Sequence, residues 1–164
     1  MVIADFNIVC LAQKNEELFN SETIKSTAVN LNSKSVNTYD GWNIFQGLRG
    51  FWYDIYPKDR ELENYQYDRE FFDLSDISKT YDYTIAALKD KKNKLICIEE
   101  YKTQIVNIVD FYLKSSPIHR ICFMVRIQDR EEEAVLGTLS REEFISKLRD
   151  NNLMYNVMYI VSMD

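Results

Sequence analysis

The chain has 164 residues, 46% of them apolar and 13% aromatic, which predicts a single globular domain over residues 1–164 with a sizeable hydrophobic core. Asp and Glu outnumber Lys and Arg by 26 to 20, and the formal charge is −6. This charge disfavours direct nucleic-acid binding, because that affinity comes largely from basic side chains that displace counterions, and it favours a basic protein partner. No apolar run approaches the length of a membrane span, and the N-terminus lacks the basic start and cleavage site of a signal peptide. We therefore expect a cytoplasmic protein without a membrane contact.

The N-terminal segment allows two interpretations. Asp5 is a suitable N-cap for a helix, and apolar residues follow it at roughly helical spacing. The same stretch, "VIADFNIVCLA", is also compatible with a strand. We predict the helix and keep the strand as the alternative. The apolar residues of that helix are Ile8, Leu11, Ala12, Leu18 and Phe19.

The stretch from residue 26 to residue 57 predicts a β-hairpin. "STAVNLNSKSVNTY" supplies a polar strand with Thr and Val, Asp40-Gly41 is a favoured turn dipeptide, and "FWYDIYP" supplies an aromatic strand that Pro57 ends. A helix is the alternative, with Phe45, Leu48, Trp52 and Ile55 on one face. Its three glycines, Gly41, Gly47 and Gly50, would each cost up to about 1 kcal/mol relative to alanine.

Two amphipathic helices are predicted in the middle of the chain. The first covers "LSDISKTYDYTIAALKDKKNK", residues 74–94, where lysines gather at the end that complements the helix dipole. The second lies before Ser-Ser-Pro at residues 115–117. Its apolar residues recur at helical spacing and are Ile98, Tyr101, Ile105, Ile108, Val109, Tyr112 and Leu113.

The C-terminal third predicts a β-β-α-β unit. "HRICFMVRIQ" alternates apolar and polar residues as a strand with one buried face does, and "AVLGTL" follows as a second strand that would form a hairpin with it. Ser140 and Glu143 form a capping box, and Leu139 with Phe144 a hydrophobic staple, for a helix that runs to about Arg149. "LMYNVMYIVS" closes the chain as a strand. The fold class is therefore α+β, a mainly antiparallel sheet with two to four helices packed on it.

No motif in the sequence specifies an activity. Four glycines form neither a P-loop nor a dinucleotide-binding fingerprint, and "GLRG" at residues 47–50 lacks the surroundings of a nucleic-acid-binding loop. The lone histidine, His119, opens a strand and is interpreted as a residue without a catalytic task. Cys10, Cys97 and Cys122 are interpreted as small buried apolar residues in a reducing compartment. We therefore expect no catalytic residue, no cofactor and no metal site.

Aromatic and acidic residues interleave in residues 51–73, "FWYDIYPKDRELENYQYDREFFD". Tyr and Trp supply large contact areas at low entropic cost, and acids attract a basic partner over long range. The alternative interpretation is that the aromatics pack a sheet against helices while the acids form a solvated rim. On the first interpretation, the partner-binding residues are Trp52, Tyr53, Asp54, Tyr56, Glu61, Glu63, Tyr65, Tyr67, Asp68 and Glu70.

The general character of the chain, which is small, acidic and aromatic-rich, resembles that of bacterial immunity proteins that plug a basic toxin domain. The resemblance implies a non-enzymatic protein-binding domain of the immunity or inhibitor type. One alternative is a phage-type anti-defence protein or nucleic-acid mimic, with its acids spaced on one face. A further alternative is a small enzyme with a carboxylate or Tyr site. A homo-oligomer formed through a free sheet edge is also compatible with the sequence, and the closing strand is a candidate for that contact if it lies at an edge.

Overall fold

A computed structural model describes residues 4–11, 18–29, 50–57, 71–73, 94–127, 134–155 and 157–163. The strands are β1 (Ala4–Leu11), β2 (Ile24–Val29), β3 (Gly50–Pro57), β4 (Phe72–Asp73), β5 (Ile96–Cys97), β6 (Arg120–Ile127), β7 (Ala134–Ser140) and β8 (Val157–Ser162). The helices of this part of the chain are a 3₁₀ turn (Glu99–Tyr101), α1 (Lys102–Ser115) and α2 (Arg141–Arg149). None of the helices in these ranges is long and apolar enough to cross a membrane.

Six of the strands form one sheet in the order β2-β3-β1-β6-β8-β7, and β4 pairs with β5 in a separate two-stranded sheet. Every neighbouring pair in the large sheet is antiparallel except β7 with β8. Helices α1 and α2 pack on one face of it, where Tyr112 stacks on Tyr53 and Phe144 meets the edge of Phe123. The predicted α+β class is confirmed.

Strand β6 is buried on both faces, which differs from the expectation of one buried face. Phe123 and Val125 point toward the helices and are 0% and 2% exposed, but Cys122 and Met124, on the opposite face, are buried as well. The prediction of one buried face was wrong because it grouped Met124 with the polar residues, although methionine is apolar. In addition, β6 is a central strand, with β1 on one side and β8 on the other.

The prediction of an N-terminal helix was wrong, and the alternative, a strand, is what the structure shows. Residues Ala4–Leu11 form β1, which pairs with β3 on one side and β6 on the other. Two sets of inter-strand hydrogen bonds satisfy the backbone here, and these long-range partners outweigh the local signal that Asp5 provides for a helix.

The predicted pairing of the aromatic strand is confirmed by β2 and β3. Their register joins Val29 with Trp52 and Ile24 with Pro57, so the paired positions are symmetric about the bond between Asp40 and Gly41. This is the register that a two-residue turn at that dipeptide imposes. The turn itself lies outside the described residues, as does almost all of the helix predicted over residues 74–94.

The four elements of the C-terminal unit occur as predicted, but the hairpin does not. Strand β8 inserts between β6 and β7, pairing antiparallel with β6 and parallel with β7. The three elements β7, α2 and β8 therefore form a crossover unit, in which the helix carries the chain back so that two parallel strands can pair. Because β8 is internal, the closing strand is not an edge and its proposed role as an edge contact is excluded.

Helix α2 begins and ends with side-chain and backbone caps. Ser140 Oγ accepts the backbone N–H of Glu143 at 3.1 Å, as the capping box predicts. At the other end, Asn151 has a φ of 54°, and the N–H groups of Asn151 and Asn152 donate to the carbonyls of Leu148 and Lys147. This is a Schellman motif with asparagine in the left-handed position that glycine usually occupies.

The two helices run antiparallel and are joined at both ends. The guanidinium of Arg141, at the start of α2, makes a bidentate pair with Asp110 of α1 at 2.6 and 2.9 Å. Lys102, at the start of α1, donates to the carbonyl of Arg149 at the end of α2 at 2.7 Å. These contacts set the helical layer over one face of the sheet.

Candidate functional site

Strand β3 carries four of the ten residues that the sequence predicts to bind a partner, and the sheet divides them between its two faces. Tyr53 is fully buried, and its ring stacks on Tyr112 of α1 with centroids 4.5 Å apart and 27° between the planes. Ile55, two residues further on, is 2% exposed. Tyr53 is therefore a core residue, and its prediction as a partner-binding residue was wrong. Successive residues of a strand point to opposite faces, and Tyr53 is on the face that the helices cover.

The other three candidates in β3 hold alternate register positions, opposite the face that Tyr53 occupies. Asp54 lies between Asn7 of β1 and Thr27 of β2. Trp52 and Tyr56 lie two positions away on either side of Asp54, and Tyr56 is half-buried. The remaining candidates, Glu61, Glu63, Tyr65, Tyr67, Asp68 and Glu70, lie outside the described residues.

Cross-strand neighbours extend this part of the sheet, and the sequence did not predict those on β1. The row through Trp52 continues to Val29 on β2 and to Val9 on β1, and Tyr56 is paired with Lys25. The β1 neighbours are far from β3 in sequence, so no local pattern identifies them, whereas the β2 pairs follow from the register of a turn at Asp40-Gly41. The period-two pattern of each strand was a usable signal, however, because it separates Asp54 from Tyr53.

A buried hydrogen-bond network holds β2 and β3 to the helical layer. The hydroxyl of Tyr112 lies 2.5 Å from Ser26 Oγ, and it accepts the backbone N–H of Phe19 at 3.1 Å. Ser26 Oγ donates to the Phe19 carbonyl at 2.7 Å. Buried polar groups that are satisfied in this way rigidify the elements that carry them. Tyr53, stacked on Tyr112, thus fixes the strand in which Asp54 and Tyr56 also lie.

The segment before β2 also occupies part of that strand's outer edge. The carbonyl of Phe19 accepts the N–H of Ser26 at 3.1 Å, and the N–H of Ser21 donates to the carbonyl of Ile24 at 2.8 Å. Within the described ranges, β7 is the strand at the other edge, and its pairing is interrupted between Val135 and Thr138 where Gly137 has a φ of +92°. Irregular or covered edges of this kind hinder the addition of a further strand. Assembly through a sheet edge stays a prediction.

His119, Cys97 and Cys122 are the side chains that the sequence analysis considered for catalysis or metal binding. His119 is exposed in the turn before β6, and its Nδ1 lies 3.2 Å from the carbonyl oxygen of Leu113. Burial raises the pKa of the Cys97 thiol to about 12 and raises the pKa of Cys122 further, so both thiols stay protonated and weakly nucleophilic at neutral pH. Among the residues described, no group of three or more His, Cys, Asp or Glu side chains is placed to hold a metal ion.

Comparison with known proteins identifies no relative. The chain matches no protein-family model, no curated protein and no solved structure. The arrangement on β3 and the charge of the chain are therefore the observations from which a function can be argued.

Proposed function

We propose that this chain is a non-enzymatic protein-binding domain of the immunity or inhibitor type, which neutralises a basic partner such as a toxin domain. The observation that carries the proposal is the distribution of the β3 residues between the two faces of the sheet. Tyr53 and Ile55 are buried on the helical side, while Asp54 and Tyr56 hold register positions on the other side of the sheet. The strand leads in sequence into residues 58–70, which continue the mixture of tyrosines and acids.

Charge supports a basic partner. The chain has a formal charge of −6, and the proposed contact residues contribute the acids Asp54, Glu61, Glu63, Asp68 and Glu70. Complementary charge raises the rate of encounter and selects among partners, whereas buried aromatic area supplies most of the affinity. The aromatic members of the proposed surface are Trp52, Tyr56, Tyr65 and Tyr67.

The reduced state of the thiols supports a cytoplasmic location. Cys97 and Cys122 are both free and buried, which suits a compartment that keeps thiols reduced. A protein that neutralises a toxin domain from inside the cell would act there. The proposed contact is confined to the β2 and β3 part of the sheet on the side away from α1 and α2, since Cys122 and Met124 of β6 are buried on that side.

The test combines identification of the partner with a charge-reversed variant. The wild-type chain is used for affinity capture, and the captured protein is purified and titrated by calorimetry. In the variant Asp54→Lys with Glu61→Lys and Asp68→Lys, we expect affinity to fall by about a hundredfold or more, which is roughly 2.7 kcal/mol of binding free energy. Circular dichroism of the free variant checks that its fold is unchanged.

The matched control reverses three exposed acids elsewhere, in the variant Glu22→Lys with Glu100→Lys and Asp150→Lys. Three reversals of two charges each take the formal charge from −6 to zero in both variants, so total charge is held equal. Unchanged affinity in the first variant would exclude the proposed surface. An equal loss in both variants would show that net charge acts without a defined surface. Displacement of duplex DNA from the captured partner would favour the nucleic-acid mimic instead.

A further inference from the structure

Three sulfur-containing residues lie together on the face of the sheet opposite the helices. Cys122 and Met124 are alternate residues of β6, and Met158 of β8 is paired directly with Met124. Their exposed fractions are 0%, 1% and 0%. Residues that pair across antiparallel strands share a face, and so do residues two positions apart in one strand, so the pairing places all three on one face. We refer to Cys122, Met124 and Met158 as the sulfur cluster.

The spacing of the sulfur cluster suits ligands that share one ion. Directly paired residues, such as Met124 and Met158, have Cβ atoms about 4.5–5.5 Å apart, and diagonal neighbours lie about 7–8 Å apart, within reach of long side chains. Methionine has three rotatable side-chain bonds, so its sulfur can be moved toward Cys122 over these distances. The three sulfurs can therefore reach a common point between β6 and β8 without a change in the backbone.

The thiol of Cys122 is buried, and it has no hydrogen-bond partner among the residues that the structure describes. The thiol of Cys97 differs, because its Sγ lies 3.6 Å from the carbonyl oxygen of Ile98. Burial raises the pKa of Cys122, so this thiol keeps its proton until a metal ion replaces it. Cys122 is thus a buried potential ligand that no other described group engages.

We propose that the sulfur cluster binds a single Cu(I) ion, with Cys122 as a thiolate ligand and Met124 and Met158 as thioether ligands. Thiolate and thioether sulfurs are soft ligands, which select Cu(I) over hard cations. On binding, a bond forms between Cu(I) and Sγ of Cys122, the thiol proton is released to solvent, and no oxidation state changes. This inference is independent of the function proposed above, because it concerns β6 and β8 rather than β2 and β3.

Charge also selects a monovalent ion. The thiolate of Cys122 cancels the charge of Cu(I), and the two methionines are neutral, so the occupied site has no net charge. A divalent ion such as Zn²⁺ would leave a positive charge among side chains that are at most 1% exposed, and an uncompensated buried charge is strongly unfavourable. Zinc also prefers four ligands drawn from Cys, His and carboxylates, which the sulfur cluster does not supply.

A row of paired residues leads from the sulfur cluster to solvent. Ile160 of β8, which is paired with Cys122, is half-buried. Thr138 of β7, which is paired with Ile160, is exposed. The buried thiol is therefore two strands away from an exposed position, and an ion has a short path by which to enter and leave.

The test is anaerobic titration of the reduced full chain with Cu(I) in competition with the chelator bicinchoninate, followed by X-ray absorption spectroscopy of the loaded protein. We expect one Cu(I) per chain, with sulfur neighbours and the release of one proton. Cys122→Ala should lower the affinity by about a hundredfold or more, and Met124→Leu with Met158→Leu by about tenfold or more. Leucine has nearly the volume of methionine, so this double variant should keep its fold, which circular dichroism checks.

The control variant Cys97→Ala with Met154→Leu removes a thiol and a thioether elsewhere, since Cys97 lies in the separate two-stranded sheet and Met154 lies beside Lys94. It should retain wild-type affinity. Absence of binding, neighbours of Cu(I) other than sulfur, an equal loss in the control, or unchanged affinity in the methionine double variant overturns the proposal. So does full binding by Cys122→Ala, which would assign the ion to another thiol. If Cys122→Ala does not fold, the methionine double variant still decides.

Discussion

The hydroxyl oxygen of Tyr112 in α1 lies 2.5 Å from Oγ of Ser26 in β2, and both residues are buried. Ser26 has one hydroxyl hydrogen, and it goes to the carbonyl of Phe19, so Tyr112 is the donor in this pair. Tyr112 also accepts the N–H of Phe19. Two hydroxyls thereby join the longer described helix, an outer strand and the segment that precedes this strand.

We predict that Tyr112→Phe lowers the free energy of unfolding by about 1–3 kcal/mol, because it leaves buried polar groups of Ser26 and Phe19 with one partner fewer. The ring and its stacking on Tyr53 are retained. Ser26→Ala should cost less, about 1 kcal/mol, because the Phe19 carbonyl still accepts the Ser26 backbone N–H at 3.1 Å. Urea unfolding measures both changes.

The double variant provides the control for this pair. If the two hydroxyls act as a unit, the double variant loses less stability than the two single variants added together. Strictly additive losses would show that the hydroxyls contribute independently, contrary to the geometry.

The second prediction concerns Asn151, which serves two purposes. It supplies the left-handed residue after α2, and its Oδ1 accepts the N–H of Cys97 at 3.0 Å. Asn151→Gly keeps the backbone conformation and loses the side-chain bond, so we expect a loss of about 1 kcal/mol. Asn151→Ala also forces a side chain into the left-handed region and should lose about 1 kcal/mol more.

Thermal and urea unfolding of the two variants separate these contributions. Asn152→Ala is the matched control, since Asn152 is the exposed neighbour, and we expect its stability to stay within about 0.5 kcal/mol of the wild type. Equal stability of the Gly and Ala variants would mean that the left-handed conformation contributes nothing at this position.

The third prediction is a loss of stability at alkaline pH. Burial raises the pKa of Cys97 from 9.0 to about 12 and the pKa of Tyr159 from 10.0 to about 12. Between these values the unfolded chain has released protons that the folded chain still binds, so stability falls as the pH rises. The stability is unaffected by these two groups below about pH 9. It then falls toward pH 12, at up to about 1.4 kcal/mol per pH unit for each group.

Urea unfolding across this pH range measures the loss, and Cys97→Ala identifies one contributor. The variant should lose less stability than the wild type above about pH 9, because it has one buried acid fewer. Parallel curves for the variant and the wild type would contradict the assignment to Cys97.

The elements that the sequence predicted well are those whose signals lie within a few residues. The cap of α2 requires Ser140 and an N–H three residues away, and both are local. The apolar residues of α1 recur at helical spacing, and Ile105, Ile108, Val109, Tyr112 and Leu113 are its buried residues. The strands "FWYDIYP" and "HRICFMVRIQ" were recognisable from β-forming residues and alternation.

The candidate surface was only partly predictable. A strand at residues 51–57 implies that Tyr53 and Asp54 face opposite ways, but the sequence does not say which of them faces the helices, since aromatic residues suit either side. The stacking of Tyr53 on Tyr112, contributed by a helix about sixty residues later in the chain, decides this.

By itself, the sequence determined the α+β class, the acidic character of the chain, the limits of α2 and the pairing of the aromatic strand with a strand that precedes it in the chain, because composition, caps and hairpin turns act over short stretches. The tertiary structure alone decided that β1 is a strand between β3 and β6, and that β8 separates β6 from β7. Strand partners are selected by the apolar area and backbone hydrogen bonds that the whole sheet gains, and this free energy depends on residues that no local pattern brings together.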